Sequence, residues 1–565
     1  MSWLFGRIGY IKTGMELRER CPQPPLVTIE LADTCIYAGG NSRTLLSGML
    51  ASGEQYIVLG YPVLINGDSY ENISQRNLPG LLQTEGFHER LDGHYLILIV
   101  GKNGIRAYND PLGKRTLYIH QLDGEIFFTS SLSLLKSVIQ PELDFRKLGA
   151  YWHTMFPPSN DRYAPTDQSY FKDITMLGTG SCAVLGKEFS LRNKLFVPST
   201  QKKDIYSLLK SFCLVPTGDS SRVAIALSGG MDIRPLLAVY LNAGQKISAI
   251  HYGNKDTQDH QIGKEIAEKF GIPYRHISYE EAEGSDPWAQ AVDFMGSRGV
   301  TANPVNAPYL GYYGKVAEEF DTFVSGYFGE LYRFRFFVAH LLSLFKSKKL
   351  TVADLNAYLY RIPAKVFIPE VATQLHQGYA HQIREVFAKM PSPKEMLNPF
   401  WFNLLLARYS PLTVNMPSLS DLDCALLDHM PWLQSEIISQ HWHQSFPFQM
   451  AEGVHRTLLR RNYPALEQFP LAALDVKAPY PYRQYMVKVK MWQHYRKHPL
   501  TRISRSDRFL EINQAQILDL FHSQRVKDYI PYDRISLSDS ITAYYRGDKT
   551  RRDTLLSWLA IELGR

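Results

Sequence analysis

The chain reads as a two-part α/β protein: a largely β N-terminal part, then a parallel sheet built from alternating strands and helices and extended by a large helical C-terminal part. Three observations predict this. Short apolar runs separated by Gly, Asp and Asn turns recur over residues 1–197 (56–59, 95–100 and 126–128 among them). A polar, proline-bearing stretch, 197–204, follows and reads as a linker. Beyond it, buried-type strands recur with helix-length segments between them, the spacing of right-handed βαβ units whose ligands bind at the carboxyl ends of the strands.

Length and composition bound the class. At 565 residues, two to four domains are expected, and 45% hydrophobic with 21% charged residues is the balance of a folded globular chain. Five cysteines (Cys21, Cys35, Cys182, Cys213, Cys424) stand apart with no CxxC, which argues against a zinc ribbon, redox motif or disulfide scaffold and for a reducing compartment. A net charge of +7 over so long a chain suits an anionic ligand but is too diffuse for nucleic acid. Residues 1–7 lack an apolar signal core, and runs such as 95–100 are far below membrane-span length. A cytoplasmic protein with no nucleic-acid or membrane partner is expected.

In chain order, 106–118 (RAYNDPLGKRTLY) reads as strand and turn, 125–129 as a strand, and 132–139 as a short helix. Residues 143–152 and the glycine turn 177–180 follow, and then the linker. The second part opens on 222–241. Residues 222–227 (RVAIAL) suit a strand buried on both faces. Ser228-Gly229-Gly230 is a tight turn, and Asp232 precedes a helical run, 233–241, with Pro235 in its first turn. Strand, glycine turn and helix start are what an anion site needs, since backbone can approach phosphate oxygens and the N–H groups of the first turn face them; the alternative is an ordinary βα turn with glycines for geometry. Asp232 is placed to cap the helix or to hold magnesium on the phosphates. Residues 246–252 and 274–278 read as further strands and 321–331 as a fourth strand and its turn, with a helix over 258–270 in which Asp259 is a candidate cap. From 341 onward the chain is largely helical, with amphipathic runs at 352–359 and 374–387.

Ser228-Gly229-Gly230-Met231-Asp232 resembles the SGGxDS pyrophosphate loop of ATP pyrophosphatases, with Ile233 where the family has serine. The DPLGKRTLY turn, the strand end at 125–131 and the later 143–152 and 177–180 segments are similar to the glutaminase-type domain of class II amidotransferases, notably that of asparagine synthetases. This resemblance, over roughly residues 1–490, implies an Ntn-hydrolase-like αββα sandwich at 1–197 and an adenine-nucleotide α-hydrolase-like (PP-loop) domain at 205–565. It also implies the cofactors ATP and magnesium. Carried over residue by residue, Leu227, Ser228, Gly229, Gly230, Asp232, Tyr252, Ser325 and Gly326 would bind nucleotide, and Asp232 and Glu330 would hold the metal. Glu330, Tyr327 and Lys477 would be catalytic, Lys477 by neutralising charge on acyl-adenylate and pyrophosphate. Glu330 replaces the family's aspartate, Tyr327 its glutamate and Ser420 its aspartate in a segment, 415–429, where the family has a helix. Residues 453–460 and 463–470 resemble the helix and turn before the lysine.

The glutaminase nucleophile is missing. Class II glutaminases use an N-terminal cysteine as nucleophile, with its amine as base, whereas position 2 is Ser2 and the first cysteine is Cys21. The N-terminal domain is therefore expected not to hydrolyse glutamine. The activity implied is an ATP-dependent amide ligase that adenylates a small-molecule or peptide carboxylate and passes it to an amine. The alternatives are an intramolecular lactam or macrolactam synthetase, a tRNA-modifying ATP pyrophosphatase, and a non-catalytic scaffold. Homodimerisation is compatible with all four. His441 and His443 lack spaced partners for a metal, and the basic run 488–508 reads as a solvated face.

Overall fold

A computed structural model describes residues 2–9, 15–122, 124–157, 163–187, 189–216, 222–333, 350–415, 426–472 and 505–565. The calls on Ser420 and Lys477, and most of 488–508, lie outside these residues.

The N-terminal part is a pair of stacked antiparallel sheets. Its strands are β1 (Trp3–Ile8), β2 (Val27–Glu30), β3 (Thr34–Gly39), β4 (Leu45–Met49), β5 (Gln55–Asn66), β6 (Ser69–Asn72), β7 (Leu91–Gly101), β8 (Gly104–Asn109), β9 (Tyr118–Leu122), β10 (Glu125–Thr129), β11 (Ile174–Met176), β12 (Cys182–Leu185) and β13 (Ser190–Arg192). One sheet runs β11-β9-β10-β1-β3-β2; the other runs β13-β12-β8-β7-β5-β4, with β6 on β5. Alternation decides which side chains meet between them. Leu4, Ile36, Ala38 and Phe128 from the first sheet pack on Ile57, Leu59, Leu96 and Leu98 from the second. The opposite faces carry short helices: Leu17 and Leu134 cover Trp3, Phe5 and Tyr37 on one side, and Leu78 and Leu82 cover Tyr56, Tyr95 and Ile97 on the other. The αββα layering implied by the resemblance is present.

The second part holds a five-stranded, wholly parallel sheet: β14 (Val223–Ala226), β15 (Ile247–Tyr252), β16 (Tyr274–Ile277), β17 (Thr322–Val324) and β18 (Leu427–His429), in the order β16-β15-β14-β17-β18. Helices Arg234–Asn242 and Gln258–Lys269 fall where the apolar spacing places them. Two expectations are corrected. Leu427–His429 is a strand rather than helix, because pairing with β17 buries even the polar Asp428 and His429. Asp259 does not cap its helix: the Thr257 side chain does, accepting from His260 N at 3.2 Å, so Asp259 sits inside the first turn.

The two parts share a core cluster at their boundary. Val63, Tyr70 and Leu112 pack in the same cluster as Phe212, Trp401 and Trp432, and helix Phe145–Met155 lies against helix Pro369–Lys389. The helices cross at two glycines. A Cβ on Gly378 would lie 2.0 Å from the Arg146 carbonyl, and one on Gly149 would lie 2.4 Å from Tyr379 N.

Candidate active site

From β14 the chain steps outward to β15 and β16, then returns to β17 and β18 on the other side. The reversal of strand order between β14 and β17 opens a crevice at their carboxyl ends. The two loops there are 227–232 and 325–330, and glycines let them touch. A Cβ on Gly326 would sit 3.0 Å from Ile233 N, and one on Gly329 would sit 2.7 Å from Asp232 Oδ1. The structure thus brings together Leu227, Ser228, Gly229, Gly230 and Asp232 with Ser325, Gly326, Tyr327 and Glu330.

Within the first loop, Gly230 N donates to Ser228 Oγ at 3.1 Å and Gly229 N to the Asp259 carbonyl at 3.1 Å. The Gly229 carbonyl accepts from Ala472 N at 3.2 Å and from Arg234 Nη2 at 3.0 Å. Arg234, which the sequence reading left without a site role, is buried and also donates to the carbonyls of Phe469 (2.8 Å) and Pro470. It clamps the glycine turn to the 463–470 turn, and burial pushes its pKa down to about 10. In the second loop, Ser325 N donates to the His429 carbonyl at 3.0 Å and Tyr327 N to Ser325 Oγ at 3.1 Å. Tyr327 is 36% exposed and so is not a core aromatic.

Asp232 does not cap the helix. The N-cap is Ile233, with no side-chain cap, and the carboxylate turns instead to two buried donors. Arg333 Nη2 meets Oδ2 at 2.5 Å and His455 Nε2 meets Oδ1 at 3.0 Å. Arg333 also reaches Glu452 at 3.8 Å and is stabilised as a cation by Asp232, Glu452 and Glu330. His455 stacks on Trp432 at 4.3 Å, and Trp432 Nε1 donates to the Asp232 carbonyl at 2.8 Å. Arg333, Trp432 and His455 lie 101 to 223 residues downstream of Asp232; the first two carry no motif, and His455 falls in the 453–460 segment, which the sequence reading singled out without giving this residue a role.

Asp232 and Glu330 are hard oxygen donors on apposed loops, the donor type magnesium takes through one or two carboxylates with phosphate and water completing the shell. Both Asp232 oxygens already meet Arg333 and His455, so magnesium would have to share or displace those contacts. Among the described residues no group of three His, Cys, Asp or Glu is arranged to hold a metal alone.

Tyr252 ends β15 apart from these loops, against Tyr279 (5.1 Å), Tyr309 (5.0 Å) and Tyr312 (4.6 Å). It borders a shallow cleft that Glu283, Arg505, Arg508 and Phe509 also line.

No family model matches the chain. The microcin J25-processing protein McjC of Escherichia coli is 21% identical over 235 residues, 39% of this chain and 44% of McjC, so the match spans less than half of that relative. The structure of the allosteric regulatory enzyme of purine biosynthesis overlaps 48% of this chain and 64% of its own at 11% identity, TM-score 0.22. The glutamine phosphoribosylpyrophosphate amidotransferase from B. subtilis, complexed with ADP and GMP, overlaps 49% and 65% at 11% identity, TM-score 0.21. The sequence match is local, and the two-part architecture is the one the sequence resemblance implies. No helix among the described residues is long and apolar enough to cross a membrane.

Proposed function

We propose that the chain is an ATP-dependent amide-forming ligase. The observation that carries this reading is the apposition of the 227–232 and 325–330 loops at the switch point of a parallel sheet. A substrate carboxylate oxygen attacks the α-phosphorus of ATP, and the bond to the β-phosphate oxygen breaks to release pyrophosphate. An amine then attacks the acyl carbon of the acyl-adenylate, AMP leaves with the carboxylate oxygen, and the amine proton passes to a base. Activation is needed because a bare carboxylate has no good leaving group.

In this reading Ser228, Gly229 and Gly230 cradle the pyrophosphate, and the 325–330 loop closes from the far side. Tyr252 stands on the adenine side, Tyr327 on the acceptor side, and Lys477 neutralises charge on the leaving groups. Magnesium, held by Asp232 and Glu330, would supply charge neutralisation for the departing pyrophosphate. An intramolecular version, closing a lactam within one peptide or small molecule, is favoured by the similarity to a microcin-processing protein. The N-terminal part would serve as a scaffold without hydrolysing glutamine: Ser2 is buried, its Oγ 2.6 Å from Thr44 Oγ1 and accepting from Asn41 N at 3.1 Å.

Calorimetry of magnesium-dependent ATP binding to the intact protein and to Asp232→Ala tests the assignment. Binding that is lost in the variant, with the fold retained, supports the ligase and justifies screening carboxylates for AMP and pyrophosphate release. No binding to either protein leaves a retired site and a scaffolding role. Glutamate release from glutamine would overturn the inactive-glutaminase part.

A further inference from the structure

Two buried charged side chains of the N-terminal part spend their polar atoms on the other part. Asp92, at the start of β7, is fully buried. Its Oδ1 accepts from Ser435 N at 3.1 Å, and its Oδ2 accepts from Glu436 N at 3.0 Å and from the Tyr70 hydroxyl at 2.8 Å. It therefore sits on the first turn of helix Ser435–Trp442, whose N–H groups have no intrahelical partner. Lys114, in the DPLGKR turn, is 1% exposed and donates to the Leu433 carbonyl at 2.7 Å and to Gln434 Oε1 at 3.2 Å. Gly93 N donates to the same Gln434 oxygen at 3.0 Å. Residues 433–436 are thus held on both backbone and side chain by the N-terminal part.

The residue just before this segment is Trp432, which reaches the pyrophosphate loop in two ways. Its Nε1 donates to the Asp232 carbonyl at 2.8 Å, and its ring stacks at 15° on His455, whose Nε2 lies 3.0 Å from Asp232 Oδ1. The Tyr332 hydroxyl donates to the Trp432 carbonyl at 2.7 Å, next to the Arg333 that holds the other Asp232 oxygen. A contiguous set of directional contacts therefore runs from β7 and the 110–114 turn to Asp232. Burying a lysine is a costly way to glue two surfaces, since apolar side chains of similar volume serve as well or better. Its directional bonds do fix one arrangement of the segment they grip.

We propose that Asp92 and Lys114 are positioning residues for the pyrophosphate loop: they fix residues 433–436 and, through Trp432 and His455, set the orientation of the Asp232 carboxylate. The glutaminase-like part is then a required component of the synthetase site. This rests on the role given to Asp232 above.

The test is a double-mutant cycle on the full-length chain. ATP affinity in the presence of magnesium is measured for wild type, Lys114→Met, Asp232→Asn and the double variant. His455 imidazole resonances are followed by NMR in wild type and Lys114→Met. Lys114→Met is expected to bind ATP about tenfold more weakly, the scale of one buried hydrogen bond. It is also expected to shift the His455 signals, and to have no further effect once Asp232 is already Asn. Additive effects in the cycle, or unmoved His455 signals, overturn the proposal, because general loosening of the interface predicts additivity. Should Lys114→Met not fold, Trp432→Phe, which keeps an aromatic ring beside His455 but removes the indole N–H and the fused five-membered ring, takes its place with the same expectations. Should wild type bind no ATP, the nucleotide assignment falls, and the His455 shift alone decides whether the linkage exists.

Discussion

The chemistry of Asp232 is set by which cations face it. Arg333, with a side chain 8% exposed, touches both Asp232 and Glu452. Replacing it by methionine would remove the guanidinium charge from beside both carboxylates. Breaking such a buried pair costs roughly 3 kcal/mol or more. Arg333→Met is therefore expected to lower the unfolding free energy by about that much in urea titration and to weaken ATP binding; an unchanged midpoint would show that Arg333 is not needed to hold Asp232. A second residue-scale prediction concerns pH. Burial lowers the pKa of His429 from 6.5 to about 3, so the folded state keeps this ring neutral while the unfolded state takes up a proton below 6.5. A depressed histidine pKa thus costs stability as pH falls, by roughly 2 kcal/mol at pH 5 for this one ring. Neighbouring Asp428 is pushed up to about 7 by burial and acts in the opposite sense, because the folded state holds its proton between 3.8 and about 7 where the unfolded state has lost it. The two largely cancel in wild type between pH 5 and 6.5. His429→Asn exposes the Asp428 term: its stability should fall by about one proton's worth per pH unit as pH rises through that window, measured as unfolding free energy against pH. A slope equal to that of wild type would contradict the assignment of His429 as a buried neutral ring.

At the scale of elements, the turn 110–114 shows what a motif can be for. Asp110 is fully buried and accepts from Leu112 N and Lys114 N at 3.1 Å through Oδ1 and from Arg115 N at 3.0 Å through Oδ2. Asp110→Ala would strand three buried donors at about 1 kcal/mol or more each, so a loss near 3 kcal/mol is expected; an undiminished melting temperature with lost turnover would move this aspartate from structure to chemistry. Much of the architecture was legible from such elements. β14 and β15 announce themselves because a parallel sheet buries both faces and leaves near-continuous apolar runs, whereas β16, the half-buried edge strand YRHI, is legible only by its spacing after the helix. β18 did not, since three residues ending in Asp428 and His429 carry no apolar period and become a strand only by pairing with β17. The glycine turn at 228–230 was legible as a loop, but not the partner each carbonyl would find. Arg333, Trp432, His455 and Asp92 are ordinary residues in sequence. They become site residues only when segments hundreds of positions apart converge, and a single sequence carries no local trace of that.

At the scale of the whole molecule, the two parts behave as one body in their packing. The cluster that buries Phe212, Trp401 and Trp432 also takes in Val63, Tyr70 and Leu112, so one large core is completed by both parts, although the sandwich also has clusters of its own. Parts joined only by a polar linker would melt separately; parts that complete one core should melt together. One cooperative calorimetric transition is therefore expected for the full chain, with residues 205–565 alone unfolded or much less stable. The Gly149–Gly378 crossing offers a sharper version. With a Cβ on Gly378 set 2.0 Å from the Arg146 carbonyl, Gly378→Ala must separate helix Phe145–Met155 from helix Pro369–Lys389. Overpacking of this kind costs about 1–3 kcal/mol. If the parts are one cooperative unit, the whole transition shifts to lower temperature and remains single. If the interface is dispensable, Gly378→Ala splits the transition, leaving one component at the wild-type temperature, and the N-terminal part would have to be regarded as a tethered passenger rather than as a wall of the synthetase site.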